Sequence, residues 1–263
     1  IFNRQAAQNQ ATRWGRRSPL ESYGTNPCSE IILRDKQFCN LSEVIIRATN
    51  TREDIKAKVR IASIIGTFQS TLTDFGFLSE AWRKNTEAEA LLGVSMTGIM
   101  DNSFTAGLED REELAQFLSE MRDYAREVNA EWAKILNVKP SAAITAVKPS
   151  GTVSQLCDTA SGIHARHSDH YIRTVRLDKK DPVYEMFKAA GMPMEDDLMK
   201  PASVAVVSYP QSAPEGAVTR NQFTAIQQLE TWLIYQRHWC EHKPSVTISV
   251  GDDEWMEVGA WVY

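Results

Sequence analysis

The strongest constraint on the fold is a long amphipathic helix followed at once by a short run of small apolar residues. Residues 109–137 are rich in Glu, Leu, Ala and Arg, with an apolar stripe through Leu114, Phe117, Leu118, Met121, Val128 and Trp132. That spacing predicts a helix with one face on a core. Next comes Ala142-Ala143-Ile144-Thr145-Ala146-Val147, which reads as a strand buried on both faces, as in parallel sheets. Leu91 to Met100, Val204 to Ser208 and Ser245 to Val250 read as further strands. A helix from Asp54 to about Thr73, capped by Thr51, and another over 221–241 with Phe223, Ile226, Leu229 and Leu233 on one face complete the pattern. Strands alternating with long helices predict an α/β architecture with a largely parallel sheet or barrel. Residues 1–25 read as irregular, and Pro210 to Gly216 as a loop between elements.

Composition narrows function by exclusion. A net charge of −5 over 263 residues argues against a surface for nucleic-acid polymers. It leaves room for a nucleotide, whose few phosphates need only backbone N–H groups and one or two cations. No apolar run approaches the roughly 20 residues of a membrane span, and no leader is evident, so a cytoplasmic protein is expected. There is no initiator Met before Ile1-Phe2, and the last residues run Val258-Gly259-Ala260-Trp261-Val262-Tyr263. Apolar ends of this kind suggest a piece of a longer polypeptide or of a split protein. The four cysteines Cys28, Cys39, Cys157 and Cys240 are too sparse for a disulfide scaffold. Cys157 and Cys240 read as buried thiols.

Asn26-Pro27-Cys28-Ser29-Glu30 places an amide, a thiol and a carboxylate at alternate positions. In an extended loop, which Pro27 favours at Asn26, all three would face one bound molecule. A thiol that becomes a thiyl radical abstracts hydrogen from carbon, a carboxylate accepts a hydroxyl proton, and an amide holds the neighbouring hydroxyl. Taken alone, the same five residues also suit a surface turn. Eleven residues further on, Phe38-Cys39-Asn40-Leu41-Ser42-Glu43-Val44 presents a second thiol beside an apolar segment. Lys148-Pro149-Ser150-Gly151-Thr152-Val153-Ser154 follows the buried run at 142–147. A strand, a glycine turn and a helix start can present bare N–H groups to a phosphate, with hydroxyls from Ser150, Thr152 and Ser154, close approach at Gly151, and Lys148 as the nearest cation. Helix capping without a ligand uses the same residue types.

Together, in order and spacing, NPCSE, FCNLSEV and PSGT with its nearby Ser resemble the active-site signature of ribonucleotide reductases. The stretches Ser161-Gly162-Ile163-His164 to His170-Tyr171-Ile172-Arg173 and 236–245, with the closing Asp253-Glu254-Trp255 and 258–263, resemble the adenosylcobalamin-dependent ribonucleoside-triphosphate reductases, so the similarity runs through nearly the whole chain. The resemblance implies a fold and a set of roles. The fold would be the second half of a ten-stranded α/β barrel with an inserted active-site finger loop, residues 1–263 being the C-terminal part of that catalytic barrel. Cys28 would be the thiyl radical, Glu30 the base, Asn26 the residue that orients the sugar, and Cys39 one of two reducing thiols, its disulfide partner lying in the preceding half of the barrel. Ser150, Gly151, Thr152 and Ser154 would bind substrate phosphate. The cofactor would be adenosylcobalamin, bringing cobalt, and the partners a ribonucleotide, a thioredoxin-like or dithiol reductant and the missing N-terminal half-barrel. A related glycyl-radical barrel enzyme and an inactive half of a split reductase are the alternatives.

Two other readings are weaker. His164, His167 and His170, then His238 and His242 around Cys240, invite zinc, but neither cluster makes a closed four-ligand set, and no protein-bound metal is expected. A thiol–disulfide protein would use CxxC rather than the spacing of Cys28 and Cys39.

Overall fold

The computed structural model describes residues 3–263, so the opening Ile1-Phe2 lies outside the described residues. The described chain forms two compact units, one of residues 3–166 with 216–263 and one of residues 167–215.

In the larger unit the predicted strand and helix alternation holds. Strand β3 (Asn40–Ile45) pairs in parallel with β4 (Leu92–Thr97), Asn40 opposite Leu92 and Ile45 opposite Thr97. Helices α2 (Arg52–Gln69) and α3 (Glu80–Glu89) make the crossover between them. Helix α4 (Arg111–Leu136) then leads into residues 143–147, which lie parallel on the other edge of β4. There Leu92 N donates to Ala143 O at 3.0 Å and Ala146 N to Val94 O at 3.0 Å. Helix α7 (Ala225–His238) brings the chain back so that Ser245 N donates to Val147 O at 2.9 Å. The parallel order is therefore β3, β4, 143–147, 243–245. Every residue of β4 is buried, as a strand covered on both faces requires.

Local chemistry explains the helix ends. Thr51 and Asp54 form a reciprocal capping box at the start of α2, as do Thr224 and Gln227 on α7. Asp110 accepts from Glu112 N and Glu113 N at 2.8 and 3.0 Å, and α4 ends on Asn137 in the left-handed region. Leu114, Phe117, Leu118, Met121 and Val128 are buried as the stripe predicts, whereas Trp132 is only half-buried.

Four expectations need correction. Residues 4–12 are not irregular but form helix α1 (Arg4–Thr12), capped by Asn3; its buried face is only Ala7 and Ala11, too little to register as amphipathic. Residues 24–33 hold a short hairpin of β1 (Gly24–Thr25) and β2 (Ile32–Leu33). Residues 246–250 are not a strand: beyond Ser245, Thr247 N and Ser249 N donate to the side chains of His164 and Gln228 rather than to a neighbouring strand. Residues 204–208 do form a strand, but in the smaller unit, where β5 (His170–Asp178), β6 (Met194–Asp196) and β7 (Val204–Ser212) make an antiparallel sheet in the order β5-β7-β6 beside the helix α6 (Pro182–Ala189). Strand β7 thus takes in part of the predicted 210–216 loop. A final helix, α8 (Trp255–Val262), and the short α5 (Val153–Leu156) complete the elements. Among the described residues no helix is long and apolar enough to cross a membrane.

His242 is the polar pin of this arrangement. It is fully buried, its Nδ1 accepts from Ile32 N at 3.2 Å, and its Nε2 lies 3.0 Å from Leu92 O. The acceptor role of Nδ1 leaves the proton on Nε2, so the ring is neutral and ties the hairpin to β4. Burial lowers its pKa from 6.5 to about 3. The unfolded chain therefore binds one more proton than the folded chain between these values. This stability contribution is complete above pH 6.5 and is lost as pH falls toward 3. Urea denaturation of the wild type is expected to lose about 2 kcal/mol more than His242→Gln between pH 7 and pH 5. Parallel pH profiles of the two proteins would rule this out.

Candidate active site

The segment 26–30 does not run extended. Asn26 N donates to Ile31 O at 3.1 Å and Ser29 N to Asn26 O at 2.9 Å, with Ser29 at a φ of 63°. The chain therefore reverses over Pro27-Cys28-Ser29, at the tip of the β1–β2 hairpin. Asn26 spans the base of this turn. Its Oδ1 accepts from Ile31 N at 3.1 Å, and its Nδ2 donates to Glu30 Oε1 at 2.7 Å. Amide and carboxylate are brought together as the alternation predicts, but by a turn, and Cys28 is left exposed at the tip.

Glu30 is fully buried. Its Oε1 also accepts from Lys148 Nζ, whereas Oε2 has no hydrogen-bond partner among the described residues. The backbone around it is tied down, with Lys243 N donating to Glu30 O at 2.9 Å. Arg17 donates to Ile32 O at 2.8 Å and holds buried Glu89 with two bonds of 3.1 and 2.8 Å. Burial pushes the Glu89 carboxyl up, but Arg17, Gln37 and Arg34 outweigh it and leave the group below its ordinary range.

Cys39 enters β3 half-buried. Gly93 on β4 lies beside it and makes way for Leu41: a Cβ there would lie 2.5 Å from Leu41 Cδ2. Burial pushes this thiol far above the ordinary cysteine range, against the pull of the Arg17 and Lys148 charges. It is an S–H group at neutral pH, suited to giving up a hydrogen atom rather than to attack as a thiolate. Of the remaining cysteines, Cys240 is buried as expected, but Cys157 is only half-buried.

The 148–154 loop leaves the sheet where Lys148 N donates to Ser95 Oγ at 2.9 Å. Gly162, at a φ of 56°, lies against it; a Cβ there would sit 2.3 Å from Lys148 O, so only glycine fits. The left-handed residue of the loop is Ser150, with a φ of 49°, rather than Gly151. Ser150 Oγ donates to Glu43 Oε2 at 2.7 Å, and Ser95 Oγ donates to Glu43 Oε1 at 3.2 Å. Burial raises the Glu43 carboxyl, and the two serine hydroxyls pull it back in part. Ser154 turns inward, bonded to Ser150 O and 2.9 Å from Ser161 Oγ.

One cavity of about 390 Å³ joins these pieces. Cys28, Glu43, Lys148, Ser150, Gly151 and Thr152 line it, together with Leu41, Ser42, Pro149 and Val153. The radical candidate and three of the four phosphate-loop candidates thus share one space. Asn26, Glu30, Cys39 and Ser154 are not among its lining residues. Glu43 was missed from sequence; its only signal was an acidic residue four positions after Cys39.

Three of the five histidines make hydrogen bonds within the fold. His164 Nε2 accepts from Thr247 N at 2.9 Å, His238 Nδ1 lies 3.0 Å from Ser119 Oγ, and His242 is the pin described above. Among the described residues no group of three His, Cys, Asp or Glu side chains is placed to hold a metal ion.

No protein-family model matches the chain. The adenosylcobalamin-dependent ribonucleoside-triphosphate reductase of Euglena gracilis is 29% identical over 229 residues, covering 86% of this chain and 30% of the relative. The enzyme of that name from Lactobacillus acidophilus is 29% identical over 263 residues, with 89% and 35% covered. The chain is a homologue of adenosylcobalamin-dependent, class II ribonucleotide reductases. Its fold agrees: the crystal structure of a B12-dependent (class II) ribonucleotide reductase superposes with a TM-score of 0.77 at 22% identity, over 91% of this chain and 36% of the other. The chain spans about a third of the length of the reductases it matches.

The two thiols of this reductase homologue differ in access and protonation. Limited alkylation with iodoacetamide followed by peptide mass mapping is expected to modify Cys28 at least ~10-fold faster than Cys39 at pH 8. Equal rates would contradict the placement of Cys39.

Proposed function

We propose that this chain contributes the radical cysteine, the base and the phosphate loop of a ribonucleotide reductase, acting on ribonucleoside triphosphates. The observation that carries this reading is the shared cavity: Cys28 at the hairpin tip opens on the same space as Ser150, Gly151 and Thr152, with the Asn26–Glu30 pair at the base of the same turn. A sugar over Cys28 with its phosphates on the 150–152 loop suits that space. In this reading residues 1–263 are the second half of a ten-stranded barrel, the 24–33 hairpin is its finger loop, and the first half-barrel and a thioredoxin-like or dithiol reductant are its partners.

Adenosylcobalamin, when bound, supplies a carbon-centred radical by homolysis of its cobalt–carbon bond. The exposed Cys28 thiol is the group this chain offers to it. Cys28 as a thiyl radical takes the 3′-hydrogen of the ribose. Glu30 accepts the 3′-hydroxyl proton as the 2′-hydroxyl leaves as water, and Asn26 holds the hydroxyls in place. Cys39 and a second thiol in the first half-barrel supply two electrons and two hydrogens, ending as a disulfide. The balance is one ribonucleotide and two thiols in, one deoxyribonucleotide, one water and one disulfide out. The protonated state of Cys39 suits that role.

The test is reduction of a ribonucleoside triphosphate with adenosylcobalamin and a dithiol, assayed with the polypeptide that supplies the rest of the barrel. Residues 1–263 on their own are expected to give no turnover. Cys28→Ser is expected to abolish product even with a strong chemical reductant, whereas Cys39→Ser permits at least one partial turnover. Identical behaviour of the two variants would show that their roles are not separate.

A further inference from the structure

Glu30 and the cavity are not in direct communication. Glu30 is fully buried and is absent from the cavity lining, whereas Lys148 is about a quarter exposed, lines the cavity, and holds Glu30 Oε1 with its ammonium group. Lys148 is therefore the part of the wall between a molecule in the cavity and the carboxylate behind it. The same residue opens the Lys148-Pro149-Ser150-Gly151-Thr152 loop, whose exposed members are Gly151 and Thr152. Sequence alone made Lys148 the cation nearest a bound phosphate; in the fold its charge is already spent on Glu30.

We infer that Lys148 is a ligand-operated gate on Glu30. Without a phosphate in the loop, its ammonium covers the carboxylate; a phosphate bound at 150–152 draws the ammonium away and uncovers Glu30 toward the cavity. The inference rests on the phosphate-loop reading above and adds a coupling between loop and base that the reading does not contain.

Four observations support the exchange. The main chain of Lys148 is fixed, by Ser95 Oγ at 2.9 Å and by the close seat of Gly162, so a switch involves only its flexible side chain. Glu30 keeps a second donor when the lysine leaves, because Asn26 Nδ2 stays 2.7 Å from Oε1. Glu30 Oε2 has no hydrogen-bond partner among the described residues, so the carboxylate has an oxygen free to take a proton once it is reached. The hydroxyl of Ser150 is held by Glu43 at 2.7 Å, which leaves Lys148 as the side-chain cation in the lining of this cavity.

Lys148 is thus a positioning residue, and a thermodynamic cycle separates gating from plain charge effects. Binding of inorganic pyrophosphate to the 263-residue chain is measured by calorimetry for wild type, Glu30→Gln, Lys148→Met and the double variant. Glu30→Gln releases the ammonium and is expected to tighten binding about 10-fold, while Lys148→Met weakens it by a similar factor. In the Lys148→Met background, Glu30→Gln is expected to change affinity less than ~2-fold, because the gate it would release is gone. The double variant leaves no unpaired buried carboxylate, so the comparison of Glu30→Gln with it survives if Lys148→Met alone fails to fold. An equal tightening by Glu30→Gln in both backgrounds would mean simple repulsion and overturn the gate. No effect of Glu30→Gln on a wild-type chain that binds pyrophosphate would overturn it too, leaving the phosphate loop intact. No binding by any folded variant would overturn both the loop and the gate.

Discussion

The site depends on how a short two-stranded hairpin is held against a buried parallel sheet. Two residue pairs make β1 and β2, and a hairpin of that size has no independent stability in water. Its position is set by groups far away in sequence. His242 takes Ile32 N–H, Lys243 N–H reaches Glu30 O, and Arg17 spans Ile32 O and Glu89. Each buried charge among these is paired, and breaking such a pair by removing one partner costs about 3–5 kcal/mol because the other is left uncompensated. The placement of Cys28 is thus a consequence of buried polar chemistry at His242, Lys243 and the Arg17–Glu89 pair.

The same sheet positions the loop opposite. Residues 143–147 deliver Lys148 beside Ser95 of β4, and β3 begins just after Cys39 and carries Glu43 near its end. Glu43 receives two serine hydroxyls, one from the sheet and one from the loop. That makes the loop an extension of the sheet rather than a free turn, and gives a small-residue segment with few side-chain contacts a defined shape. Preorganisation of this kind matters for a site whose proposed chemistry needs a radical, a base and an anion anchor at set distances.

Much of this was legible without coordinates where the signal is periodic or local. The α4 stripe, the Thr51 cap and the buried 142–147 run are all consequences of short-range pattern, and each has its counterpart in the fold. The α1 helix was not legible because two alanines make its buried face. Residues 246–250 have strand composition, but the side chains of His164 and Gln228 take the backbone donors of Thr247 and Ser249. Residues 204–208 carry the strand pattern of β7 but pair in the antiparallel sheet of the smaller unit, since period-two alternation does not say which partner a strand will find.

The sequence by itself determined the chemical inventory of the site: NPCSE, FCNLSEV and PSGT name the thiols, the carboxylate, the amide and the loop, and their order points to the reductase family. Only the tertiary structure decided how that inventory is connected. It turned the expected extended segment into a hairpin with Cys28 outside and Glu30 inside, directed the Ser154 hydroxyl inward, brought in Glu43, and placed Lys148 on Glu30. The reason is physical. Residue identity fixes what a group can donate, accept or lose, but burial and partner choice fix what it does, and the Ile32–His242 and Glu30–Lys148 partners come from segments more than a hundred residues apart.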